Sequence, residues 1–271
     1  MMPARQMAKS RVDRRGGMMI RERRGPWWRA RAAILREWIV QAAERAPDGW
    51  ALKTDLFDEA SGPHHHAGDL DPRHRFLGVD SSLEVARAAK RRLDQEGRRA
   101  QIVVCDVRAL PFASDSMALV VSLSTLDHFP SCEGIGMSLT ELARAMRPAG
   151  IVLLTLDNPR NPEVALRAGL PERMVRWLRA DSFPLGFTPQ PSDAERFFAL
   201  AGLTTLKRGF MVHAPRYPLM RMGERLERIS KAGLVDRLER LILGLESASN
   251  LPVSPLSGHY AGWILTPREG E

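Results

Sequence analysis

Short apolar runs alternate with helical patterns along most of this chain. Each run is a near-continuous stretch of valine, isoleucine and leucine, which indicates a strand buried on both faces of a parallel sheet. Helical patterns separate the runs, so we predict an α/β fold with helices on both faces of the sheet. The predicted strands are 50–56, 76–79, 101–105, 117–123 and 151–156, and the predicted helices between them are 82–95 and 138–147.

An amphipathic helix is predicted ahead of the first strand, over residues 26–48. Pro26 occupies a favoured first helical position, and apolar residues recur at three- and four-residue spacing from Trp27 to Ala42. We expect the tryptophans of this helix to be exposed. Residues 1–25 show no apolar periodicity, and we expect them to form a disordered basic tail.

The alternation of predicted strands and helices ends after Asp157, where helical segments predominate. Two late strands follow, and late strands often close a parallel sheet with an antiparallel edge pair. The amphipathic stripe of 216–247 favours a helix that covers the sheet or caps a pocket over one that lies on a membrane. The predicted elements are a helical insertion at 162–180, a loop at 183–188, a helix at 192–201, strands at 204–212 and 259–265, and the helical region 216–247.

The net charge of +8 is concentrated at one end of the chain. Residues 1–50 hold 12 Lys/Arg against 5 Asp/Glu, and the remaining residues hold 28 against 27. A basic tail can bind nucleic acid, but a nucleic-acid binder usually carries its basic patch on the folded domain, so we favour a tail without that role. Two cysteines, and no apolar run of about 20 residues, predict a cytoplasmic protein without a membrane span.

Three predicted strands end in aspartate: Asp55, Asp80 and Asp106. Ligands of open α/β sheets sit outside the carboxyl ends of the strands, where carboxylates can accept hydrogen bonds from hydroxyl or amino groups. A single aspartate at such a position is weak evidence, because aspartate also begins turns and caps helices. Ser81 and Ser82 offer Asp80 that simpler role. Three aspartates in succession favour a binding site.

The stretches "FLGVDSSLEVARAAKRRL", "VVCDVRALPFASDSMALVVSLSTLDHF" and "ELARAMRPAGIVLLTLDNP" carry a family resemblance. With residues 50–57 they resemble the class I S-adenosylmethionine-dependent methyltransferases, in their small-molecule branch. The resemblance implies a Rossmann-like, seven-stranded, mostly parallel sheet with an antiparallel last strand. It also implies a cofactor-binding half at 49–158 and a substrate-side half at 159–271.

The resemblance assigns S-adenosylmethionine as the cofactor and names residues that would hold it. Asp80 would hold the ribose hydroxyls, Asp106 and the backbone of Val107 would meet the adenine, and Ser122 to Ser124 would face the methionine portion and the methyl. The implied cofactor-binding positions are Asp55, Leu56, Phe57, Asp80, Ser81, Asp106, Val107, Ser122 and Ser124. On this basis we expect Asp80→Ala to weaken cofactor binding and to change stability little.

The stretch "DLFDEASG" departs from the family pattern, which has alternating glycines after the acidic residue. Phe57, Asp58 and Glu59 stand there instead, and the first glycine is Gly62. A Cβ obstructs close approach of a ligand to the backbone. The loop is therefore either a rewritten binding loop or a relic. We favour the rewritten loop, with Phe57 beside the ligand and Asp58 or Glu59 facing the ammonium group of the cofactor.

Histidines are candidates for catalytic and for metal-binding roles. His128 follows the fourth strand, where a general base could reach a substrate hydroxyl, and the catalytic and structural roles stay equally open. His213 is a weaker second candidate. The run from His64 to His66 is predicted to be solvated and to hold no metal, since we found no carboxylate at ligand spacing. The segment Asp157-Asn158-Pro159 is predicted to be a turn that ends a strand.

The leading prediction is therefore an enzyme that transfers the methyl of S-adenosylmethionine to a small-molecule acceptor. The first alternative is a catalytically inactive methyltransferase-like protein that binds a ligand or partner. A nucleic-acid methyltransferase is the less favoured third. The sequence names neither the acceptor nor the oligomeric state.

Overall fold

A computed structural model describes residues 25–170 and 186–268 of the chain. Its centre is one seven-stranded sheet with the order β3-β2-β1-β4-β5-β7-β6. The first five strands are parallel, and β7 runs antiparallel to both β5 and β6. This arrangement confirms the predicted fold class. The strands are β1 Gly49–Thr54, β2 His74–Asp80, β3 Gln101–Val104, β4 Met117–Leu123, β5 Met146–Asp157, β6 Leu203–Met211 and β7 Tyr260–Pro267.

Helices cover both faces of the sheet. Within the described residues, three short 3₁₀ turns lie between the helices and strands. None of the helices within residues 25–170 and 186–268 combines the length and apolar character of a membrane span. The helices are α1 Pro26–Arg45, α2 Phe57–Ser61, α3 Leu83–Gln95, α4 Cys132–Ala145, α5 Pro162–Gly169, α6 Pro191–Leu200, α7 Arg216–Arg228, α8 Ala232–Gly244 and α9 Ser254–Ser257. The 3₁₀ turns are His66–Gly68, Leu126–His128 and Leu245–Asn250.

The N-terminal helix α1 is part of the core, and the prediction that its tryptophans are exposed is wrong. Trp27 is 0% exposed, and Trp28 and Trp38 are also buried. These rings pack with apolar residues of β4, β5 and β7 in one core layer that also receives side chains from α7 and α8. The sequence showed the helical spacing of these residues but not that a third layer of helices covers their outer side.

Strand β4 shows why the apolar runs of this chain do not alternate with polar residues. Leu119, Val121 and Leu123 pack in the layer with α1, whereas Val120 packs in the opposite layer with α4 and α6. Successive side chains of a strand point to opposite faces, so a sheet covered on both sides requires apolar residues at every position. The carboxyl end of β4 is thereby fixed between two packed layers.

One predicted helical boundary is wrong. Helix α4 begins at Cys132 rather than 138, because Ile135 and Leu139 pack against the sheet despite the weak helix formers Gly134 and Gly136. The region 216–247 is helical as predicted, and it is divided into two helices and the start of a 3₁₀ turn. The chain reverses at Ser230, which has a φ of 54°.

Some sequence predictions fall outside the described residues. These are the tail up to residue 24, the part of the helical insertion after residue 170 and the first part of the loop at 183–188.

Candidate active site

The carboxyl ends of β1 and β2 are joined by the Asp80 side chain. Asp80 Oδ2 accepts the backbone N–H of Leu56 at 2.9 Å, and Oδ1 accepts that of Ser82 at 2.8 Å. Ser82 in turn caps α3, since its hydroxyl accepts the N–H of Val85 at 3.3 Å. Asp80 therefore also holds the turn after β1, beyond the structural role near the start of α3 that the sequence offered it. On this geometry we expect replacing Asp80 to lower stability, which revises the expectation from the sequence.

Asp55 stands at the turn between β1 and the short helix α2. Its φ is 63°, a left-handed conformation that aspartate tolerates better than most residues. Its Oδ1 accepts the N–H of Phe57 at 2.7 Å, and its carbonyl accepts from Lys53 Nζ at 2.5 Å. The sharp turn is thus made without glycine. Leu56 is fully buried beneath it, so only its backbone lies at the turn.

The two extra carboxylates of the loop point back into the protein. Arg31 Nη1 lies 3.1 Å from Asp58 Oδ2, and Lys53 Nζ lies 2.8 Å from Glu59 Oε2, with all four side chains at least nine-tenths buried. Glu59 is therefore occupied internally, and of the two carboxylates predicted as alternatives to face a cofactor ammonium, only Asp58 lines the cleft. Both carboxylates are paired with a cation of another element, so neither is an unpaired charge above the end of β1.

An open cleft lies above the ends of β1, β4 and β5. It holds about 630 Å³ of empty space, a figure that includes space open to solvent. One wall comes from the loop after β1 and the end of β4. Its residues are Asp55, Phe57, Asp58, Leu123, Ser124 and His128.

The rest of the cleft lining comes from α1, β5, α5, α7 and β7 and is mostly charged. These residues are Arg31, Asp157, Arg167, Arg216 and Tyr260. Asp157 is the last residue of β5 and lies in the cleft, so the prediction of a simple turn misses its position at the site. The signal was present: Asp157 ends a strand, as Asp80 does. The arginines follow no sequence motif, so nothing in the sequence marks them as residues of the site.

The turn after β4 is held by a hydrogen-bonded network. Ser124 has a φ of 50°, and its hydroxyl donates to Asp127 Oδ2 at 2.8 Å. The same oxygen accepts the N–H of Asp157 at 2.8 Å. Ser122 is fully buried, and its Oγ accepts from Thr54 at 2.9 Å, so of the predicted serines Ser124 lines the cleft and Ser122 supports the strand.

His128 ends a 3₁₀ turn and lines the cleft beside Asp55. Its imidazole contributes to lowering the pKa of Asp55, against the larger effect of burial, which raises that pKa. His213 lies elsewhere, where its ring contacts the Ser257 hydroxyl at 2.8 Å and the Phe210 carbonyl at 3.1 Å. The structure thus brings His128 to the site and leaves His213 in a structural contact.

The remaining predicted residues lie beside the cleft, at the ends of β2 and β3. Asp106 is held by Arg108, whose Nη2 lies 2.5 Å from Asp106 Oδ2. Val107 is buried in the core, and Ser81 is exposed next to Asp80. An adenine could therefore meet the Val107 backbone, whereas the Asp106 carboxylate already has a cationic partner.

Three cleft-side carboxyls have raised pKa values, and burial raises that of Asp55. Burial and the neighbouring charge of Asp55 raise the pKa of Asp80 to about 6. Burial and the charge of Asp127 raise the pKa of Asp157 to about 7, although Arg167 and Arg216 oppose this shift. Perturbed carboxyls in a cleft are typical of functional sites.

The histidine run is more ordered than the sequence predicted. His65 and His66 are buried, and Asp69 accepts from His64 Nε2 at 2.8 Å and from His66 Nδ1 at 2.9 Å. The prediction of solvated histidines without a nearby carboxylate is wrong. Although these groups could hold a metal ion, Arg36 Nε lies 3.0 Å from Asp69, and its charge opposes a cation there.

Comparisons with known proteins agree with this fold. Residues 58–150 match the family model described as a methyltransferase domain. A carboxy-S-adenosyl-L-methionine synthase of Desulforapulum autotrophicum is 33% identical over 129 residues, which are 45% of this chain and 51% of that protein. The chain thus spans about half the length of this curated relative.

Solved structures show the same fold. The YcgJ protein of Bacillus subtilis superposes with a TM-score of 0.55 at 18% identity, covering 87% of this chain and 98% of that one. The geranyl diphosphate C-methyltransferase of Streptomyces coelicolor A3(2) gives a TM-score of 0.52 at 15% identity, covering 88% and 80%.

The sheet order and the antiparallel last strand are those of a Rossmann-like fold, and residues 58–150 within it match a methyltransferase domain. The chain is therefore similar to the S-adenosylmethionine-dependent methyltransferases.

Proposed function

We propose that this protein binds S-adenosylmethionine and transfers its methyl group to a small-molecule acceptor. One observation carries the proposal: the turn that replaces the glycine-rich loop keeps a cleft open above β1. Glu59 pairs with Lys53 in the core, and Asp58 pairs with Arg31 in the lining of the cleft, so neither is an unpaired charge in that space. The comparison with a methyltransferase solved with S-adenosyl-L-homocysteine is consistent with a cofactor of this type.

The residues present fit such a cofactor. Asp80 retains acceptor capacity, because a carboxylate has about four lone-pair sites and two are used by N–H groups. It would hold the ribose hydroxyls. Asp55 and Asp58 would face the ammonium of the methionine portion, and Ser124 would lie near the reacting end. When bound, the cofactor supplies an electrophilic methyl carbon attached to sulfur.

The protein contributes position, exclusion of water and a proton acceptor. Phe57 and Leu123 are the apolar side chains of the cleft, and they limit water at the reacting centre. His128 lies in the same wall as Ser124, where an imidazole can take the proton of an acceptor hydroxyl or amine. Much of the rate enhancement of such a displacement comes from alignment of the two reactants.

Calorimetric titration with S-adenosylmethionine and S-adenosylhomocysteine tests cofactor binding. The Asp55→Ala variant is expected to bind more weakly than the parent. The matched control is Asp71→Ala, which removes an exposed carboxylate from a loop. If the parent shows no heat of binding at millimolar concentrations of both compounds, the proposal is wrong.

Transfer is tested separately from binding. The protein is incubated with methyl-labelled S-adenosylmethionine and a cell extract divided into small molecules, protein and nucleic acid. Label in the small-molecule fraction supports the proposal. Binding without transfer to any fraction supports the inactive alternative, and label in nucleic acid supports the third interpretation.

A further inference from the structure

The carboxylate at the end of β5 is almost completely buried, and it lines the cleft. Asp157 is 5% exposed. Its nearest cations are Arg167, whose Nη1 lies 3.9 Å from Oδ2, and His259, whose Nε2 lies 3.9 Å from Oδ1. Both distances are beyond hydrogen-bond length. Within the described residues no donor forms a hydrogen bond to either oxygen, which is unusual for a buried carboxylate and indicates that a bound molecule supplies the donor.

The backbone on either side of this carboxylate is firmly held. The N–H of Asp157 donates to Asp127 Oδ2 at 2.8 Å, and Asp157 pairs with Tyr260 in the antiparallel ladder of β5 and β7. The next residue, Asn158, donates from its amide to the carbonyls of Pro255 and Gly258 at 2.9 and 2.8 Å. Strand pairing and neighbouring residues therefore place the carboxylate, while its own oxygens remain available to a ligand. A reactive group needs such a supported position.

The surroundings of Asp157 suit a group that gains and loses a proton near neutral pH. Burial and the charge of Asp127 raise the pKa of Asp157 to about 7, against the opposing charges of Arg167, Arg216 and His128. A general base works best when its pKa lies close to the operating pH. Enzymes obtain such a base by placing two carboxyls in unlike surroundings, and here Asp127 accepts two hydrogen bonds whereas Asp157 accepts none from the described residues.

We propose that Asp157 is the catalytic base of the methyl transfer and takes the proton of the nucleophilic N–H or O–H group of the acceptor. In the cleft, that group donates a hydrogen bond to the carboxylate. As the nitrogen or oxygen bonds to the methyl carbon, the carbon–sulfur bond breaks and its electron pair stays on sulfur. The proton moves to Asp157 and makes it a neutral carboxylic acid. The inference rests on the proposed function and names the residue that holds the proton.

The test measures initial rates with methyl-labelled S-adenosylmethionine and the small-molecule fraction of a cell extract, between pH 5.5 and 9. The parent rate should rise as the pH passes through about 7 and then level off, because the base acts in its ionised form. In Asp157→Asn the rate should fall about a hundredfold or more, and this pH dependence should disappear. Binding of S-adenosylhomocysteine, measured by calorimetry, should stay close to that of the parent.

Two further variants make the test specific. Asp94→Asn removes an exposed carboxylate paired with Lys90, and it should keep the rate and the pH profile of the parent. His128 also lines the cleft, so His128→Asn separates the two candidate bases: its profile should keep the rise near pH 7. Thermal melting verifies that each variant folds. If Asp157→Asn does not fold, the profiles of the parent and of His128→Asn decide, because both must rise near pH 7.

Parent-like transfer by Asp157→Asn would overturn the inference, as would a rise near pH 7 that disappears in His128→Asn. A folded Asp157→Asn variant that loses S-adenosylhomocysteine binding together with transfer would show a structural role instead. Failure of the proposed function gives a different result, since the parent itself would then transfer no label at any pH and the inference would fall with it.

Discussion

The Asp80 carboxylate and the Leu56 backbone are joined by a 2.9 Å hydrogen bond, although Asp80 ends β2 and Leu56 follows β1. Leu56 is the N-cap residue of α2, and Asp80 is the last residue of β2. The residue expected to hold the ribose therefore also fixes the turn that replaces the glycine-rich loop. Binding and loop geometry are coupled through one side chain.

The Asp80→Ala variant is expected to lose both stability and cofactor affinity. Two backbone N–H groups lose their acceptor, which costs about 1–3 kcal/mol of unfolding free energy. Cofactor affinity should fall by about 1.5–3 kcal/mol because charge-assisted bonds to the ribose are lost. Urea denaturation and calorimetry with S-adenosylhomocysteine measure the two effects. A variant as stable as the parent would show that water replaces the carboxylate at the turn.

Cofactor affinity is expected to weaken as the pH falls below about 6. The pKa of Asp80 in the free protein is about 6, and only the ionised carboxylate accepts from both ribose hydroxyls. Below that pH, binding must displace a proton, so the dissociation constant should rise, approaching tenfold per pH unit. Asp55 and Lys53 also contribute to this pKa, so calorimetry should compare the parent with Asp80→Asn between pH 5 and 8. A dissociation constant that is constant over this range would contradict the assignment.

The buried pair of Lys53 and Glu59 predicts a strong dependence of each residue on the other. Lys53→Met leaves Glu59 in the core without its cation, which should cost about 3–5 kcal/mol of unfolding free energy. Adding Glu59→Gln should recover much of that loss, because glutamine retains an oxygen for the His66 N–H. Urea denaturation of the single and double variants measures the coupling.

The control for this pair is Lys90→Met, which breaks an exposed pair with Asp94 and should cost less than about 1 kcal/mol. If Lys53→Met costs no more than the control, the pair does not hold the loop.

The N-terminal helix is predicted to be essential to the domain. Trp27 is fully buried, so Trp27→Ala should cost about 3–5 kcal/mol through lost packing and a cavity. Leu200→Ala is the matched control, since Leu200 is 84% exposed and its loss should change stability by less than about 0.5 kcal/mol. Thermal or urea denaturation compares them. Similar stability of the two variants would mean that α1 is dispensable.

Asp55, Asp80 and Ser124 lie at the carboxyl edge of the sheet, as the sequence predicts, because one rule governs their position. The carboxyl ends of parallel strands meet at one edge, so residues just after the strands come together wherever the sheet forms. The same rule predicts that Asp157, which ends β5, lies in the cleft. The Asn-Pro sequence that follows Asp157 is typical of a turn and indicates that simpler role instead.

The arginines of the cleft could not be predicted in this way. Arg31, Arg167 and Arg216 lie on helices whose positions depend on tertiary packing, and each reads as an ordinary surface residue in its own helix. The inward turn of Asp58 and Glu59 likewise depends on Arg31 and Lys53, which belong to other elements. Where another residue replaces a glycine, the position of its Cβ follows from the backbone. The direction of the rest of the side chain depends on tertiary partners that the sequence does not show.

The loop itself gives the last prediction, the double variant Phe57→Gly/Asp58→Gly. Restoring glycines should weaken S-adenosylhomocysteine binding rather than improve it. Phe57 packs partly against the core beneath α2, and Asp58 holds Arg31 by a 3.1 Å contact. Their loss frees the short helix and leaves Arg31 in the core without that carboxylate. Ala60→Gly is the matched control, because it loosens the same helix without removing either contact.

Calorimetry of the parent, the double variant and the control distinguishes the two interpretations of the loop. A rewritten binding loop predicts that the parent binds and that the double variant loses affinity well beyond the control. A relic predicts the opposite order, with binding that appears only once the glycines are restored. Melting temperatures measured beside the titrations separate loss of the site from loss of the fold. A double variant that melts with the control and binds more tightly than the parent would show that Phe57 and Asp58 obstruct the cofactor.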